Sequence, residues 1–197
     1  MKRIILGALL ASAVAVVPAM AALKQGEKAP DFKTKASLAG KEFNFSLADS
    51  LKKGPVVVYF YPAAYTGGCN IQAHTFAENA DKFAASNATI IGVSLDSIQK
   101  LNKFSADPKY CAGKFPVASD ADGAITKSYN LKVGDARAGA KDTDGEAIDH
   151  AFAERTTFVI TQDSKIVATL SSNDDKLSPV EHVEKSLALV QDIAKKK

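Results

Sequence analysis

The sequence predicts a single α/β domain with a central mixed sheet flanked by helices. Residues 55–62 and 88–95 are almost entirely β-branched, aromatic or otherwise apolar, which is typical of strands buried on both faces of a largely parallel sheet. A segment with helical apolar spacing follows each of them. A hairpin and an amphipathic helix then close the chain, and this alternation predicts the fold class.

The first 21 residues are predicted to be a secretory signal peptide. Lys2 and Arg3 give a positive start, residues 4–17 are an apolar run, and Ala19-Met20-Ala21 is a small-x-small cleavage signal. A membrane anchor is the alternative, but the run falls short of the ~20 residues that a spanning helix needs. We expect residues 22–197 to be one exported domain, most simply in a bacterial periplasm.

The charge of the chain excludes some classes of partner. The 25 Lys and Arg residues nearly balance the 22 Asp and Glu residues, and two of the cations lie in the predicted signal. A nearly neutral mature chain gives no reason to expect nucleic acid or an anionic membrane as a partner. Export also places the two cysteines in an oxidising compartment, where they could form a disulfide.

The amino-terminal half is predicted in chain order as follows. Residues 22–54 are polar with short strand-like pieces, and residues 55–62 form the first buried strand. A helix follows, whose apolar face is predicted to comprise Ile71, Ala73, Phe76, Ala77, Ala80 and Phe83. After the second buried strand, Asp96 with Gln99 resembles a helix-start cap, and Ile98, Leu101 and Phe104 share one helical face.

The carboxyl-terminal half begins with a short strand in residues 114–120 and a short helix in residues 123–131. Residues 134–152 lack a clean period and predict a loop that is long for a compact domain. Residues 157–161 and 166–170 predict a hairpin. Ser178, Pro179 and Glu181 predict the capped start of the last helix, whose buried stripe is Val180, Val183, Leu187, Val190 and Ile193. This order suits a thioredoxin-like fold.

Cys69 is predicted at the first turn of the helix that follows the first buried strand. The unpaired backbone N–H groups and positive dipole end there stabilise a thiolate. Gly67 and Gly68 allow a small reagent to approach closely, Pro62 stiffens the turn, and Thr66 supplies a hydroxyl. These residues alone leave two alternatives open, a nucleophile activated by position or a structural cysteine.

Five segments resemble motifs of the peroxiredoxin family. Pro62, Thr66 and Cys69 match its PxxxTxxC active-site motif. The other segments are Gly26 with residues 29–32 (APDF), residues 94–97 (SLDS), residues 115–120 (FPVASD) and residues 155–160 (RTTFVI). They occur in the family's order between residues 23 and 170, and chance agreement at five places is remote.

The resemblance implies a role for each site residue. Cys69 would be the peroxidatic nucleophile that attacks the O–O bond of hydrogen peroxide or an alkyl hydroperoxide. Arg155 would hold the thiolate and orient the peroxide, Thr66 would hydrogen-bond the sulfur and a peroxide oxygen, and Pro62 would shield the sulfur. The backbone N–H of Cys69 would polarise the breaking bond. The resulting sulfenic acid must be resolved by a thiol, and no metal, flavin or haem is needed.

The sequence also departs from the family. It is similar to the PrxQ (bacterioferritin co-migratory protein) subgroup, many of whose members have a resolving cysteine where this chain has His74. Gly67, Asn70 and Gln72 also replace the usual residue types. The resemblance therefore predicts Cys111 as the resolving cysteine, within one chain. The alternative is an inert Cys111 and a one-cysteine mechanism with an external thiol.

Other features are predicted to be structural. His74 is expected to be a partly exposed helix residue, His150 part of the long loop and His182 part of the last helix, so no metal site is predicted. The loop 134–152 is expected to be a solvated insertion that ends near Arg155, where it could cover the pocket. The expected reductant is a thioredoxin-like or other dithiol protein, and the expected state is a monomer or weak dimer.

Two other classes of exported protein are alternatives. A Sco-like metallochaperone needs C-x-x-x-C, but Ala73 stands at the second position. A thiol-disulfide oxidoreductase needs C-x-x-C, but Gln72 stands there. An inactive fold relative with one structural disulfide is a further alternative.

Overall fold

The computed structural model describes residues 21–196, so all but the last residue of the predicted signal peptide lies outside the described part. The strands are β1 (Lys33–Leu38), β2 (Lys41–Ser46), β3 (Val56–Phe60), β4 (Thr89–Ser94), β5 (Val117–Ser119), β6 (Val133–Gly134), β7 (Phe152–Ala153), β8 (Thr156–Ile160) and β9 (Ile166–Ser171). The helices are α1 (Leu47–Leu51), α2 (Gly67–Ala85), α3 (Ile98–Ala106), α4 (Ala124–Ser128) and α5 (Pro179–Lys195).

Seven strands form one mixed sheet in the order β2-β1-β5-β4-β3-β8-β9. The central strands β3, β4 and β5 are parallel, whereas β8 and β1 pair antiparallel with β3 and β5. Strands β6 and β7 form a separate two-stranded ladder that closes the base of the long loop. The mixed sheet flanked by helices agrees with the sequence prediction.

All five residues of β3 are buried, because helices cover both faces of the sheet. Val57 and Tyr59 face a core formed with α2, α3 and α5. Val56, Val58 and Phe60 face a second core, to which α1 and α4 contribute. This double burial explains why the sequence of β3 shows a continuous apolar run rather than alternation.

The predicted cap of α5 is confirmed. The Ser178 hydroxyl accepts a hydrogen bond from the Glu181 backbone N–H, and the Glu181 carboxylate accepts one from the Ser178 backbone N–H. Val183 and Val190 of the predicted stripe are buried, as is His182 beside them. Helix α5 packs against α2 and β8, and so it lies behind the site described below.

Two local predictions were wrong. Ile71 is 51% exposed, because α2 turns Cys69, Gln72 and Phe76 inward instead. The cap of α3 is Ser97, whose hydroxyl accepts from Lys100 N, and not Asp96. Asp96 is instead fully buried, and its carboxylate accepts hydrogen bonds from the backbone N–H of Ala64 and the hydroxyl of Ser94.

Within residues 21–196, no helix is both long and apolar enough to cross a membrane.

Candidate active site

Cys69 is the third residue of α2, at the point where the chain enters this helix from β3. Its side chain is buried. The backbone N–H of Asn70 makes the first hydrogen bond of the helix, to Thr66 O at 2.8 Å. The preceding N–H groups of α2, including that of Cys69, have no acceptor within the helix. The sulfur therefore lies at the positive end of the helix dipole, as predicted.

The turn between β3 and α2 is held in an unusual conformation. Tyr65 has φ of +58°, in the left-handed region that bulky residues rarely adopt. Its carbonyl accepts hydrogen bonds from both the backbone N–H (2.8 Å) and the hydroxyl (2.9 Å) of Thr143. One residue earlier, the backbone N–H of Ala64 donates to the Asp96 carboxylate at 2.8 Å. Neighbouring segments thus fix the turn that presents Cys69.

Arg155 reaches Cys69 from the adjacent strand. It directly precedes β8, whose first residue, Thr156, pairs with Phe60 at the end of β3. Nη2 of Arg155 donates to Sγ of Cys69 at 3.2 Å. Nη1 of the same guanidinium donates to Oε1 of Gln72, one turn further along α2. The arginine of the sequence motif therefore binds two side chains of the helix that carries the thiol.

Gly68 leaves room for that guanidinium. A Cβ atom on Gly68 would lie 3.2 Å from Nη2 of Arg155 and 3.4 Å from Cγ of Pro179. A Cβ atom on Gly67 would meet no atom within 4 Å. The expectation that both glycines admit a reagent therefore needs correction for Gly68, which faces Arg155.

Thr66 and Pro62 lie at the site, but the predicted bond from Thr66 to the sulfur is not seen. The Thr66 hydroxyl donates to Ala63 O at 2.8 Å instead. Both residues line a cleft whose opposite wall is formed by residues 137–141, Ile148 and Phe152. The loop 134–152, expected to be a solvated insertion that could cover the pocket, therefore forms one side of the cleft beside the site.

Gln72 and Asn70, two of the departures from the family motif, are both buried at the site. Oε1 of Gln72 accepts from Arg155, and its Nε2 has no partner among residues 21–196. Nδ2 of Asn70 lies 3.4 Å from the hydroxyl of Thr143. Because the side chain of Gln72 is neutral, its hydrogen bond does not reduce the positive charge of the Arg155 guanidinium.

His182 is a buried residue of α5 near the site, and the sequence did not indicate its role. Its Nδ1 lies 2.9 Å from the Thr157 hydroxyl, and its Nε2 lies 3.0 Å from the Ser172 hydroxyl. Burial and the nearby charge of Arg155 lower the pKa of His182 to about 4, so the ring is neutral at pH 7. The only signal was its place beside Val183 on the inner stripe of α5.

His150 also does more than the sequence suggested. Its Nε2 lies 3.0 Å from Oδ1 of Asp96, so it ties the long loop to the end of β4. Burial lowers the pKa of His150, but the hydrogen bonds to Asp96 and to Ala151 O raise it by more. The net pKa is therefore above its ordinary value. His74 is exposed as expected, with Nδ1 3.0 Å from Lys109 O.

Cys111 is fully buried in the turn that follows α3. Burial, and secondly the charge of Asp107, raise the pKa of its thiol well above the ordinary value. Both cysteines are free, and both belong to the core that contains Tyr59. Burial, and after it Cys111 and Cys69, raise the phenol pKa of Tyr59 well above its ordinary value. The structure brings the two cysteines into one core without joining them.

In the part of the chain that the structure describes, no group of three or more His, Cys, Asp or Glu side chains is placed to hold a metal ion.

The known sequences that this chain resembles belong to one family. The AhpC/TSA family matches residues 25–169. A Mycobacterium tuberculosis protein that carries a peroxiredoxin name is 36% identical over 145 residues, which are 74% of this chain and 83% of the relative. A Coxiella burnetii protein named as a bcp peroxiredoxin is 30% identical over 146 residues, 74% of this chain and 87% of the relative.

Solved structures show the same likeness. The crystal structure of the peroxidoxin BcpB from Mycobacterium tuberculosis matches with a TM-score of 0.70 and 30% identity, covering 87% of this chain and 98% of that one. The bacterioferritin comigratory protein of Xanthomonas campestris matches with a TM-score of 0.62 and 26% identity, covering 81% of this chain and 91% of that one.

Proposed function

The chain belongs to the AhpC/TSA family, and from this membership we propose how its residues divide the work of a peroxidase. The resemblance to peroxiredoxins and the thioredoxin-like fold are confirmed. The protein is a thiol-dependent peroxidase, an oxidoreductase that reduces peroxides with electrons from thiols. What remains to be proposed is the role of each residue, the resolving step, the reductant and the location.

We assign the peroxidatic role to Cys69. Its thiolate attacks the terminal oxygen of ROOH, the O–O bond breaks, and RO⁻ leaves and takes a proton to become ROH. The sulfur becomes a sulfenic acid, Cys69–SOH. The observation that carries this assignment is the hydrogen bond of 3.2 Å from Nη2 of Arg155 to Sγ at the start of α2. A cation and free helix N–H groups stabilise the thiolate and the charge that develops on the leaving oxygen.

Thr66 and Pro62 are assigned to the approach of the peroxide. Both line the cleft beside Cys69, and the Thr66 hydroxyl donates its proton to Ala63 O. Its oxygen lone pairs are then left to accept from the terminal OH of a hydroperoxide. Pro62 limits the access of water to the sulfur side of the turn. This places Thr66 as an acceptor for the peroxide rather than a donor to the sulfur.

Cys111 is proposed to resolve the sulfenic acid within one chain. Its thiol attacks the sulfur of Cys69–SOH, a disulfide forms, and water leaves. Membership of both thiols in one hydrophobic core supports this. Cys111 is fully buried, and burial raises the pKa of its thiol. We therefore propose that the turn after α3 opens before the attack, because a thiolate is the attacking form. A dithiol protein of the thioredoxin kind would then reduce the disulfide.

Export remains a proposal that rests on the sequence pattern of residues 1–21. Amino-terminal sequencing of the protein recovered from a periplasmic fraction tests it, and a mature chain that begins near residue 22 is expected. A thiol-disulfide oxidoreductase and a Sco-like metallochaperone each need a second cysteine on this helix. Buried Gln72 and Ala73 occupy those two positions, so neither alternative is supported.

The function is tested by adding hydrogen peroxide to the reduced protein and following thiol loss, with Cys69→Ser as the control. We expect rapid loss of one thiol and then a disulfide-linked peptide pair of Cys69 and Cys111. A Cys111→Ser variant should stop at the sulfenic acid and lose turnover with a dithiol reductant. Undiminished turnover of Cys111→Ser would instead identify the one-cysteine mechanism.

A further inference from the structure

The cleft lined by Pro62 and Thr66 of the active-site turn is much larger than hydrogen peroxide requires. It has a volume of about 540 Å³ and lies between Thr66 of the active-site turn and residues 137–141 of the long loop. A water molecule occupies about 30 Å³ of liquid, and hydrogen peroxide has only two oxygens. The cleft therefore has room for an organic group attached to the peroxide.

The walls of the cleft combine apolar surface with positive charge. Ile148, Phe152 and Pro62 supply the apolar part. Arg137 and Lys141 supply two cations, and the Arg137 guanidinium lies 5.4 Å from the centre of the Phe152 ring. A guanidinium held over an aromatic ring keeps its outward N–H groups free for an anion.

Neither cation is neutralised by the protein. Among the described residues 21–196, neither Arg137 nor Lys141 forms a salt bridge. The neighbouring carboxylate of Asp142 is only 1% exposed and is bound to Lys100 Nζ at 2.7 Å. It also accepts the backbone N–H groups of Asp144 and Glu146. The two charged side chains that line the cleft are therefore both cations.

The segment that carries these cations is held in place. Ala140 N donates to Arg137 O at 2.9 Å, and Ile148 N donates to Ala140 O at 2.9 Å. Thr143, between them, donates twice to Tyr65 O in the turn that precedes Cys69. The position of the cations relative to the reacting thiol is thus set by direct bonds and not by a free loop.

We propose that Arg137 and Lys141 form an anion subsite, which selects organic hydroperoxides that carry a carboxylate at the end remote from the peroxide. The inference rests on the peroxidase function of Cys69 and adds a substrate class to it. The peroxide end lies at Cys69 and Thr66, the apolar body against Ile148 and Phe152, and the carboxylate at the two cations. Arginine pairs with a carboxylate through two parallel hydrogen bonds, and lysine adds a point charge.

The reaction at this subsite needs no further reactant. The Cys69 thiolate takes the terminal oxygen and becomes the sulfenic acid, while the O–O bond breaks and the remaining alkoxide is protonated to an alcohol. The carboxylate is unchanged and leaves with the alcohol. Ion pairs to two exposed cations are together worth about fivefold in rate or affinity at low salt, and less as ionic strength rises.

The test compares cumene hydroperoxide with its para-carboxylate analogue, which differ only in the remote charge. The second-order rate constant of Cys69 oxidation is measured for each by quenched alkylation and mass spectrometry. We expect the full-length protein to favour the carboxylate by about fivefold at low salt. The double variant Arg137→Gln/Lys141→Gln should lose this preference. Lys132→Gln removes one nearby exposed cation outside the cleft and should keep it.

The outcomes separate the subsite from the peroxidase function. A ratio near one in the unmodified protein, an unchanged ratio in the double variant, or an equal loss in Lys132→Gln would overturn the subsite. The measured rate constant describes only the oxidation of Cys69. An effect of the double substitution on reduction by a protein dithiol therefore does not change these conclusions. If hydrogen peroxide and cumene hydroperoxide oxidise Cys69 and only the preference is missing, the peroxidase function stands. If no peroxide oxidises Cys69, both fail.

Discussion

The neutral side chain of Gln72 accepts a hydrogen bond from Nη1 of Arg155, and Nη2 of the same guanidinium donates to Sγ of Cys69. Gln72 is fully buried, so water contributes little to the balance of charge around it. An amide orients the guanidinium without reducing its charge, whereas a carboxylate would form an ion pair with it. The full charge of Arg155 is thus available to the thiolate and to the peroxide.

Replacing Gln72 by glutamate keeps the shape of the side chain and adds a negative charge. The carboxylate would neutralise Arg155 and disfavour the nearby thiolate. We expect oxidation of Cys69 by hydrogen peroxide at pH 7 to slow by about tenfold, which corresponds to about 1.4 kcal/mol. The rate is measured by thiol loss under pseudo-first-order conditions.

Ile71→Glu is the matched control for that variant. It adds the same charge to the same turn of α2, but at a side chain that is 51% exposed. Its rate should stay within about twofold of the unmodified protein, because solvent screens an exposed charge. Equal rates for Gln72→Glu and the unmodified protein would show that the charge of Arg155 is not what Gln72 preserves.

Gly68→Ala tests the close approach of Arg155 to α2. The added Cβ would lie 3.2 Å from Nη2 and 3.4 Å from Pro179 Cγ, so the guanidinium must be displaced from its present position. We expect about a tenfold slower reaction with peroxide, since charge-assisted hydrogen bonds weaken steeply with displacement. Gly67→Ala meets no atom within 4 Å and should react at nearly the normal rate. Similar rates for the two variants would contradict the proposed contact.

The buried His182 makes stability depend on pH. Its pKa is about 4 in the folded protein and 6.5 in the unfolded chain, so the unfolded chain binds the proton first. Its contribution is present in full above pH 6.5 and is lost as the pH falls towards 4, by at most about 3 kcal/mol. Urea unfolding across this range should show a steeper fall for the unmodified protein than for His182→Gln.

The control for that pH dependence is His74→Gln, at an exposed position of α2. This variant should follow the slope of the unmodified protein, because it leaves His182 and its hydrogen-bond partners unchanged. Parallel curves for the unmodified protein and His182→Gln would mean that His182 is not held neutral by the fold. Only the difference in slope is used, so a general loss of stability in either variant does not affect the result.

The sequence predicted the sheet, the helix that carries Cys69 and the capped last helix, because these depend on local periodicity and capping. It failed where a side chain serves a distant segment. Aspartate is a residue type that often caps helices, but the carboxylate of Asp96 forms hydrogen bonds with Ala64 N and His150 Nε2 instead. Both partners lie far from Asp96 in the chain. Ile71 matched the apolar spacing, but the inner face of α2 carries Gln72, which accepts a hydrogen bond from Arg155. Ile71 lies on the exposed face of the helix.

The candidate site was only partly predictable for the same reason. The motif placed Cys69, Thr66, Pro62 and Arg155 together, and the structure brings all four to one place. The wall formed by residues 137–141 carries no motif, because its position comes from hydrogen bonds such as those of Thr143 to Tyr65. Such bonds cannot be inferred from composition, and so the loop was predicted as solvated.

The two cysteines of the chain allow the most direct test, because Cys111 serves as an internal reference for Cys69. The reduced protein is exposed briefly to limiting hydrogen peroxide, and isotope-coded alkylation measures how much of each thiol remains. Cys69, bound to Arg155, should be oxidised at least about a hundredfold faster than the buried Cys111, and Arg155→Met should remove most of this difference. Oxidation of both thiols at similar rates, or of Cys111 first, would contradict the assignment of Cys69 as the peroxidatic residue.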